Sequence, residues 1–188
     1  MRVFGIDPGS VRTGYGCIDT DGRRHRLIVC GAITCQPRAA LADRLSQIHR
    51  TLRDLIASAR PDCIAIENLF HARNVKSALV LGHARGVSVL AAVQAGVPIV
   101  EYTPAAIKSA IVGYGRADKR QMQQMVKLLL GLDTAPAPHD AADALAVAIC
   151  HVQNSGPIAT IAAGAAQPGL PRSWRHMKPE QIARRQAP

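Results

Sequence analysis

The hydrophobic pattern of the first 34 residues predicts three short strands. Residues 3–6 form an apolar run that ends at Asp7-Pro8-Gly9, which is typical of a buried strand followed by a turn. Residues 13–18 and 27–34 are the next two apolar stretches, and Asp21-Gly22 between them is a hairpin-turn dipeptide. Because short turns join neighbouring strands, we expect an antiparallel meander.

The rest of the pattern alternates helices with strands. Leucine and isoleucine recur at spacings of three and four from Leu41 to Leu55, which predicts an amphipathic helix. Further strands are predicted at 63–66 and 98–102, and further helices at 74–95, 118–130 and 140–152. A meander followed by alternating elements predicts a mixed α/β sheet covered by helices.

The character of the sequence changes after Asn154. Residues 156–188 contain five of the twelve prolines, many alanines and no sustained period, which is typical of a flexible tail. They also contain five Lys and Arg against the single Glu180. We therefore expect one folded domain over 1–154 and a basic, Pro/Ala-rich flexible tail over 155–188.

The chain carries a formal net charge of +10, from 23 Lys and Arg against 13 Asp and Glu. The tail contributes four of these charges, so +6 remains on residues 1–155. A basic surface favours a polyanionic partner, because Lys and Arg displace counterions from phosphates. Composition therefore indicates a nucleic-acid partner but no particular chemistry.

The cysteine pattern and the lengths of the apolar runs predict a cytoplasmic protein. The five scattered cysteines include no CxxC pair, so we expect neither a disulfide framework nor a thiolate metal site. No apolar run approaches the roughly 20 residues of a spanning helix. The N-terminal apolar stretch is too short for a signal peptide, and no membrane partner is expected.

The predicted helix at 74–95 is apolar around much of its circumference. One face can pack on the sheet, and the remainder favours a second buried surface such as a dimer interface. A helix sandwiched inside one domain would have the same pattern. The sequence leaves both interpretations open.

Acidic residues end two of the buried strands. Asp7 follows the strand at 3–6, and Glu67 follows the strand at 63–66. Functional groups of open α/β sheets gather at the carboxyl ends of strands, so the two carboxylates converge if the strands are neighbours. Either acid alone is more often a solvated group at the rim of the sheet, but two together favour a site.

Two more acids lie at the start of the last predicted helix. Asp140 and Asp143 are three residues apart, so both project from one face of its first turn. A helix-capping role would explain Asp140. It would not explain Asp143, which lies in a run of alanines that lets the helix approach the sheet closely.

Four converging carboxylates would repel one another without a compensating cation. An all-oxygen ligand set indicates Mg²⁺ or Mn²⁺. Two such ions about 4 Å apart serve phosphodiester hydrolysis by activating water and stabilising the leaving oxygen. A basic surface around an acidic metal site is what cleavage of a nucleic-acid backbone requires.

Several separated motifs resemble the RuvC family of crossover-junction endodeoxyribonucleases. The matching stretches are Asp7-Pro8-Gly9, Thr13-Gly14-Tyr15-Gly16, Ile66-Glu67-Asn68-Leu69-Phe70, Glu101-Tyr102-Thr103-Pro104, residues 112–119 and residues 140–146. The resemblance covers about residues 1–154. It implies a ribonuclease-H-like fold, with a mixed five-stranded sheet flanked by helices on both faces.

The resemblance also implies roles for individual residues. The acids that hold the catalytic divalent ions in the family correspond to Asp7, Glu67, Asp140 and Asp143. Phe70 corresponds to an aromatic residue that stacks on a base at the opened junction. Lys108 and Lys119 match basic residues that act near the scissile phosphate, and Lys119 also lies at a predicted helix N-terminus.

Three further residues lie near the predicted site in the sequence. Some family members place a histidine beside the last acids, which would make His139 a ligand or a proton carrier. Because Asp140 is adjacent, we interpret His139 instead as a residue that supports the ligands or simply begins the helix. Arg73 and Lys76 are reasonable duplex contacts, although a solvated helix face would have the same sequence.

The implied function is that of a DNA endonuclease that resolves four-way junctions by paired symmetric nicks in homologous recombination and DNA repair. The resemblance further implies a homodimer, two Mg²⁺ ions per site with Mn²⁺ as a substitute, and coupling to the RuvA–RuvB branch-migration complex.

Three other functions are alternatives to this interpretation. A non-catalytic nucleic-acid-binding module would not need four converging acids, and an actin-like ATPase needs a second domain that 188 residues do not supply. The closest alternative is another ribonuclease-H-like nuclease that acts on RNA or simple duplexes. Phe70 and the Lys108–Lys119 stretch argue against it.

Overall fold

The computed structural model describes residues 1–68, 74–115 and 117–155. The elements run in the order β1 (Arg2–Asp7), β2 (Arg12–Thr20), β3 (His25–Thr34), α1 (Leu41–Ala59), β4 (Cys63–Glu67), α2 (Val75–Gln94), β5 (Ile99–Tyr102), α3 (Pro104–Val112), α4 (Lys119–Leu129) and α5 (His139–Asn154). The tail predicted over 155–188 lies outside the described residues apart from Ser155, so that domain boundary stays a prediction.

The strands form one mixed sheet in the order β3-β2-β1-β4-β5. The first three strands pair antiparallel, whereas β1, β4 and β5 are parallel neighbours. The predicted meander and the mixed five-stranded sheet are therefore confirmed. The parallel pairing of β1 with β4 brings the carboxyl ends of these two strands to the same edge.

Helices cover both faces of the sheet, as the family resemblance implies. Side chains alternate between faces along a strand, so Phe4 and Ile6 of β1 pack with α1 and α2, while Val3 packs with the helices of the other face. That second face is covered by α3, α4 and α5. Each face has its own apolar core, and the central strand β1 is buried between them.

The closest contact between layers is that of α5 with the glycines of β1 and β2. A methyl group at Gly5 would overlap the carbonyl oxygen of Ala144, and one at Gly16 would overlap the side chain of Leu145. Alanines on the facing side of α5 complete this contact, and they are fully or almost fully buried. The predicted close approach of α5 is thus present, and the glycines of the strands are its counterpart.

The helix α3 was not predicted from the sequence. Its nine residues are too few for a clear apolar period, but its ends carry recognisable signals. The Thr103 side chain accepts a hydrogen bond from the Ala106 backbone N–H at 3.2 Å, Pro104 begins the helix, and Gly113 ends it at a φ of 85°. The side chains of Asn74 and Asp118 cap the starts of α2 and α4 by accepting backbone hydrogen bonds.

The helix α2 packs on α1 and leaves an apolar face exposed. Its buried positions are small, namely Ala84, Ser88, Ala91 and Ala92, whereas its large apolar side chains at Val75, Leu79, Leu90 and Val93 are exposed. The helix is therefore not sandwiched inside the domain. By length and composition alone it is also apolar enough to cross a membrane, although Lys76, His83 and Arg85 interrupt its apolar positions.

We predict that Gly5→Ala destabilises the fold by about 2–3 kcal/mol, because the new methyl group would push α5 away from β1. Thermal unfolding should show a melting temperature lowered by roughly 5–10 °C. The matched control is Gly115→Ala, where a methyl group would make only ordinary contacts beyond 3.6 Å. Equal melting temperatures for the two variants would contradict this account of the packing.

Candidate active site

The parallel pairing of β1 with β4 places Asp7 and Glu67 side by side. Ile6 pairs with Ile66 in the register of the two strands, so the next residue of each strand lies at the same sheet edge. Burial, followed by the charge of the neighbouring Glu67, raises the pKa of Asp7, which favours its protonated form.

The first turn of α5 brings Asp140 and Asp143 to the same edge. Gly14 of β2 pairs with Asp7 of β1, and the backbone of Asp140 occupies the space that a side chain at Gly14 would fill. The start of α5 therefore lies over the end of β1. Both of its acids are close enough for their charges to raise the pKa of Asp7.

The helix-capping role considered for Asp140 is wrong. The helix α5 begins at His139 after Pro138, and no side-chain hydrogen bond caps its start within residues 117–155. Asp140 Oδ2 instead lies 3.8 Å from Nη1 of Arg12, a residue at the start of β2. Asp140 therefore pairs with Arg12 of β2 while it lies in the first turn of α5.

Burial and mutual repulsion keep protons on this cluster. Burial, followed by repulsion from Glu67, Asp143 and Asp140, raises the pKa of Asp7 from 3.8 to about 9. Burial also raises the pKa of Glu67 and that of Asp143. Negative charge at this edge is therefore incompletely compensated by the protein itself, and a bound cation would displace the protons.

Two lysines face the acids. Lys119 Nζ lies 3.9 Å from Asp143 Oδ2, and 78% of the Lys119 side chain is exposed. The charges of Lys119 and Lys108 lower the pKa of Glu67 and partly offset the effect of burial. An ion pair this exposed opens at little cost, so the Lys119 ammonium group can turn from the carboxylate to an incoming phosphate.

Three of the four acids and both lysines line a cavity of about 250 Å³ between the sheet and the helices of one face, and Asp140 is not among its lining residues. Its walls are formed by Asp7, Glu67, Pro104, Ile107, Lys108, Lys119, Met122, Asp143 and Ala146. Met122 packs in the core of that face and also lines the cavity. The cavity therefore has an acidic side on the sheet and α5, and an apolar and basic side on α3 and α4.

The residues present fit a hard divalent cation. All four acids offer oxygen ligands only, and the raised pKa of Asp7 marks negative charge in need of a counterion. Within residues 1–68, 74–115 and 117–155, no three of the metal-ligating side chains already form a closed ligand set. A bound cation would have to draw the carboxylates closer together, and its charge would offset their mutual repulsion.

The remaining predicted site residues either do not line the cavity or lie outside the described residues. His139 is exposed at the first position of α5, and its charge lowers the pKa of Asp143. Lys76 is exposed on the first turn of α2 and is not part of the cavity wall. Phe70 and Arg73 lie outside the described residues.

Sequence reasoning missed Arg12 and the wall supplied by α3. Arg12 begins β2 two residues before Gly14, so the register of β2 with β1 places it at the acidic edge. Pro104 and Ile107 reach the cavity because α3 directly follows the end of β5. The Thr103-Pro104 dipeptide, a capping residue before a proline, was the available signal for this helix.

The sheet order, the helices on both faces and the acids at the ends of the central strands define a ribonuclease-H-like nuclease. The family model described as "Crossover junction endodeoxyribonuclease RuvC" matches residues 3–151. The chain belongs to this RuvC family.

Individual relatives agree with the family match. The "Crossover junction endodeoxyribonuclease RuvC" of Chloroflexus aggregans is 52% identical over 151 residues, which cover 80% of this chain and 92% of that protein. The solved structure of Thermus thermophilus RuvC is 35% identical with a TM-score of 0.75, and the match covers 82% of this chain and 95% of that one. T. thermophilus RuvC in complex with Holliday junction substrate matches with 33% identity and a TM-score of 0.75, over 82% of this chain and 94% of that chain.

We predict that, without metal, the fold loses stability as the pH rises. The folded-state pKa of Asp7 lies above its ordinary value of 3.8, at about 9, so between these pH values the folded state holds more protons than the unfolded state. Thermal unfolding in chelator should therefore show a falling melting temperature from pH 5 to pH 8.

Asp7→Asn should remove part of this pH dependence. At pH 8 in chelator we expect it to raise stability by about 1–2 kcal/mol, which corresponds to one or two pKa units. Asp133→Asn, at an exposed position in the loop before α5, is the matched control and should leave the melting temperature unchanged. A destabilised Asp7→Asn protein at pH 8 would contradict the electrostatic account.

Proposed function

We propose that this chain resolves four-way DNA junctions by cutting two strands symmetrically, in homologous recombination and DNA repair. The observation that carries the proposal is the cluster of four acids at one sheet edge, where the pKa of Asp7 is raised to about 9. The 33% identical T. thermophilus RuvC, solved in complex with Holliday junction substrate, supports a junction as the substrate.

Enzymes of this family depend on a divalent metal, and we propose two Mg²⁺ ions per site, for which Mn²⁺ can substitute. The residues that would hold them are Asp7, Glu67, Asp140 and Asp143. When bound, the ions supply an activated water and stabilise the leaving oxygen. The alanine and glycine packing under α5 sets the separation of the carboxylates that must converge on the metal.

Basic groups around the acids would hold the scissile strand. Lys119 and Lys108 lie on the cavity wall opposite the carboxylates, which suits contacts with the phosphate. His139 would support Asp143 electrostatically, because its charge lowers the pKa of that acid. For Phe70, Arg73 and Lys76 we propose DNA contacts, with Phe70 stacking on a base at the junction centre.

A homodimer would place two such sites on one junction. The exposed face of α2 carries Leu79, Leu90 and Val93, and it also carries Gly82 and Gly86, where a methyl group would meet nothing within 4 Å. An apolar and shallow helix face of this kind suits a second copy of the same face across a twofold axis. We further propose action in the cytoplasm and coupling to the RuvA–RuvB complex.

The first test is cleavage of a labelled four-way junction and of a matched linear duplex. With Mg²⁺ the protein should produce paired nicks in the junction and leave the linear duplex intact. Asp7→Asn should lose cleavage by a factor of the order of 10³ while it still binds the junction, because removing one charge from the cluster weakens metal binding and not the basic surface.

Asp133→Asn serves as the control and should cut like the parent protein. Equal cleavage of the linear duplex would refute junction selectivity, and cleavage in chelator would refute the metal mechanism.

The second test concerns the dimer. Leu79→Glu should convert the protein to a monomer in sedimentation equilibrium, because it would bury a charge at the centre of the interface. Its junction cleavage should then give single rather than paired nicks. Leu128→Glu, at a leucine that is 69% exposed on α4, is the matched control. A dimeric Leu79→Glu protein would exclude α2 as the interface.

A further inference from the structure

The hairpin that joins β2 to β3 lies at the opposite end of the strands from the acids. Asp7 at the end of β1 pairs with Gly14, whereas Arg2 at its beginning pairs with Asp19. The turn after Thr20 is therefore separated from Asp7 by the length of β1, roughly 17 Å at about 3.3 Å per residue. No part of this hairpin belongs to the cavity described above.

Basic residues outnumber acids at this edge. The basic side chains are Arg2, Arg23, Arg24, Arg26 and Arg60, and the acids are Asp19, Asp21 and Asp62. The acids are already occupied by nearby groups. Asp19 Oδ2 lies 3.5 Å from Arg2 Nη2 and 3.4 Å from Arg26 Nη2, and Asp62 Oδ2 accepts a hydrogen bond from the Arg2 backbone N–H.

Asp21 is occupied by the turn itself. Its Oδ1 accepts hydrogen bonds from the backbone N–H groups of Arg23 and Arg24, each at 2.8 Å, so it holds their backbone and not their guanidinium groups. Gly22, at a φ of 95°, donates its N–H to Thr20 Oγ1 at 3.0 Å. The turn is thus fixed in shape while it presents two adjacent arginines.

The side chains of Arg23 and Arg24 are exposed, and within the described part of the chain neither forms an ion pair. Two neighbouring guanidinium groups on a turn of fixed backbone can reach the oxygens of neighbouring phosphates. A protein interface holds its aromatic or Arg anchors in well-packed pockets from which water is excluded. The exposed turn consists instead of Asp21, Gly22 and the two arginines, so its composition favours a polyanion.

The basic tail starts beside this hairpin. Ser155 shares a surface depression with Thr20, Asp21 and Gly22. The chain that continues from Ser155 carries a net charge of +4.

We infer that Arg23 and Arg24 form a second DNA-binding surface, which contacts the phosphate backbone of duplex DNA without reading its sequence. The duplex is either an arm of the bound junction or a separate DNA segment, and both offer the same phosphates. The inference rests on the proposed function only in taking DNA as the ligand.

The test measures how duplex binding depends on salt. Each phosphate contact contributes about 0.9 to the slope of log affinity against log salt concentration. Arg23→Glu/Arg24→Glu should lower the slope for a linear duplex by about 2 and weaken binding roughly tenfold or more near 0.1 M salt. Arg23→Lys/Arg24→Lys should retain most of the slope.

The matched control is Arg38→Glu/Arg50→Glu, which makes the same change in net charge at two exposed positions outside the hairpin. It should leave the slope close to that of the parent protein. Equal slopes for the hairpin variant and this control would overturn the inference, because only net charge would then matter.

Two further measurements separate the sources and the proposals. A second labelled duplex that binds junction-saturated parent protein, but not the hairpin variant, identifies a separate segment as the ligand. Weakened junction binding without such capture identifies an arm of the same junction. Single-turnover junction cleavage at saturating protein should be unchanged in the hairpin variant. If the parent protein cuts no junction, the proposed function fails while the salt slopes still decide this inference.

Discussion

The close contact between α5 and the two glycine-bearing strands is the constraint on which the site depends. Gly5 and Gly14 have no side chains where the backbone of α5 crosses β1 and β2, so the helix lies nearly against the sheet. Only at this distance can Asp140 and Asp143 act on Asp7. Core packing and site assembly are therefore the same interaction, and a methyl group at either glycine would disturb both.

This assembly opposes the stability of the fold. Bringing four acids together at a buried edge raises the pKa of Asp7 to about 9 and raises that of Glu67 as well. The apolar residues buried on both faces of β1 must stabilise the fold against this repulsion. Arg12 and Lys119 reduce it through exposed ion pairs that DNA or metal can displace. The protein thus neutralises the carboxylates only in part, and the remaining negative charge is what a cation would bind.

The parts of the fold and of the site that depend on strong local sequence patterns could be predicted from the sequence. Asp7 and Glu67 each end an unbroken apolar run, and parallel strands with such ends meet at one edge, so their convergence was predictable. The helix α3 was not, because nine residues show little period and its signals, Thr103-Pro104 and Gly113, lie only at its ends. Arg12 depends on the register of β2 with β1, which only the paired strands reveal. The roles of Phe70 and Arg73 stay predictions.

The distribution of charge along β1 explains how a basic protein can hold an acidic site. The acids gather at the carboxyl end of the strand, where Arg12, Lys108 and Lys119 are among the cationic side chains near them. At the opposite end of β1 the acids are already paired within the protein, as Asp19 is with Arg2 and Arg26. Positive charge that is free to attract DNA therefore lies away from the positive charge needed to balance the acids. The basic hairpin and the acids are separated by the length of β1. The hairpin can therefore attract a polyanion over a distance without neutralising the carboxylates of the proposed metal site.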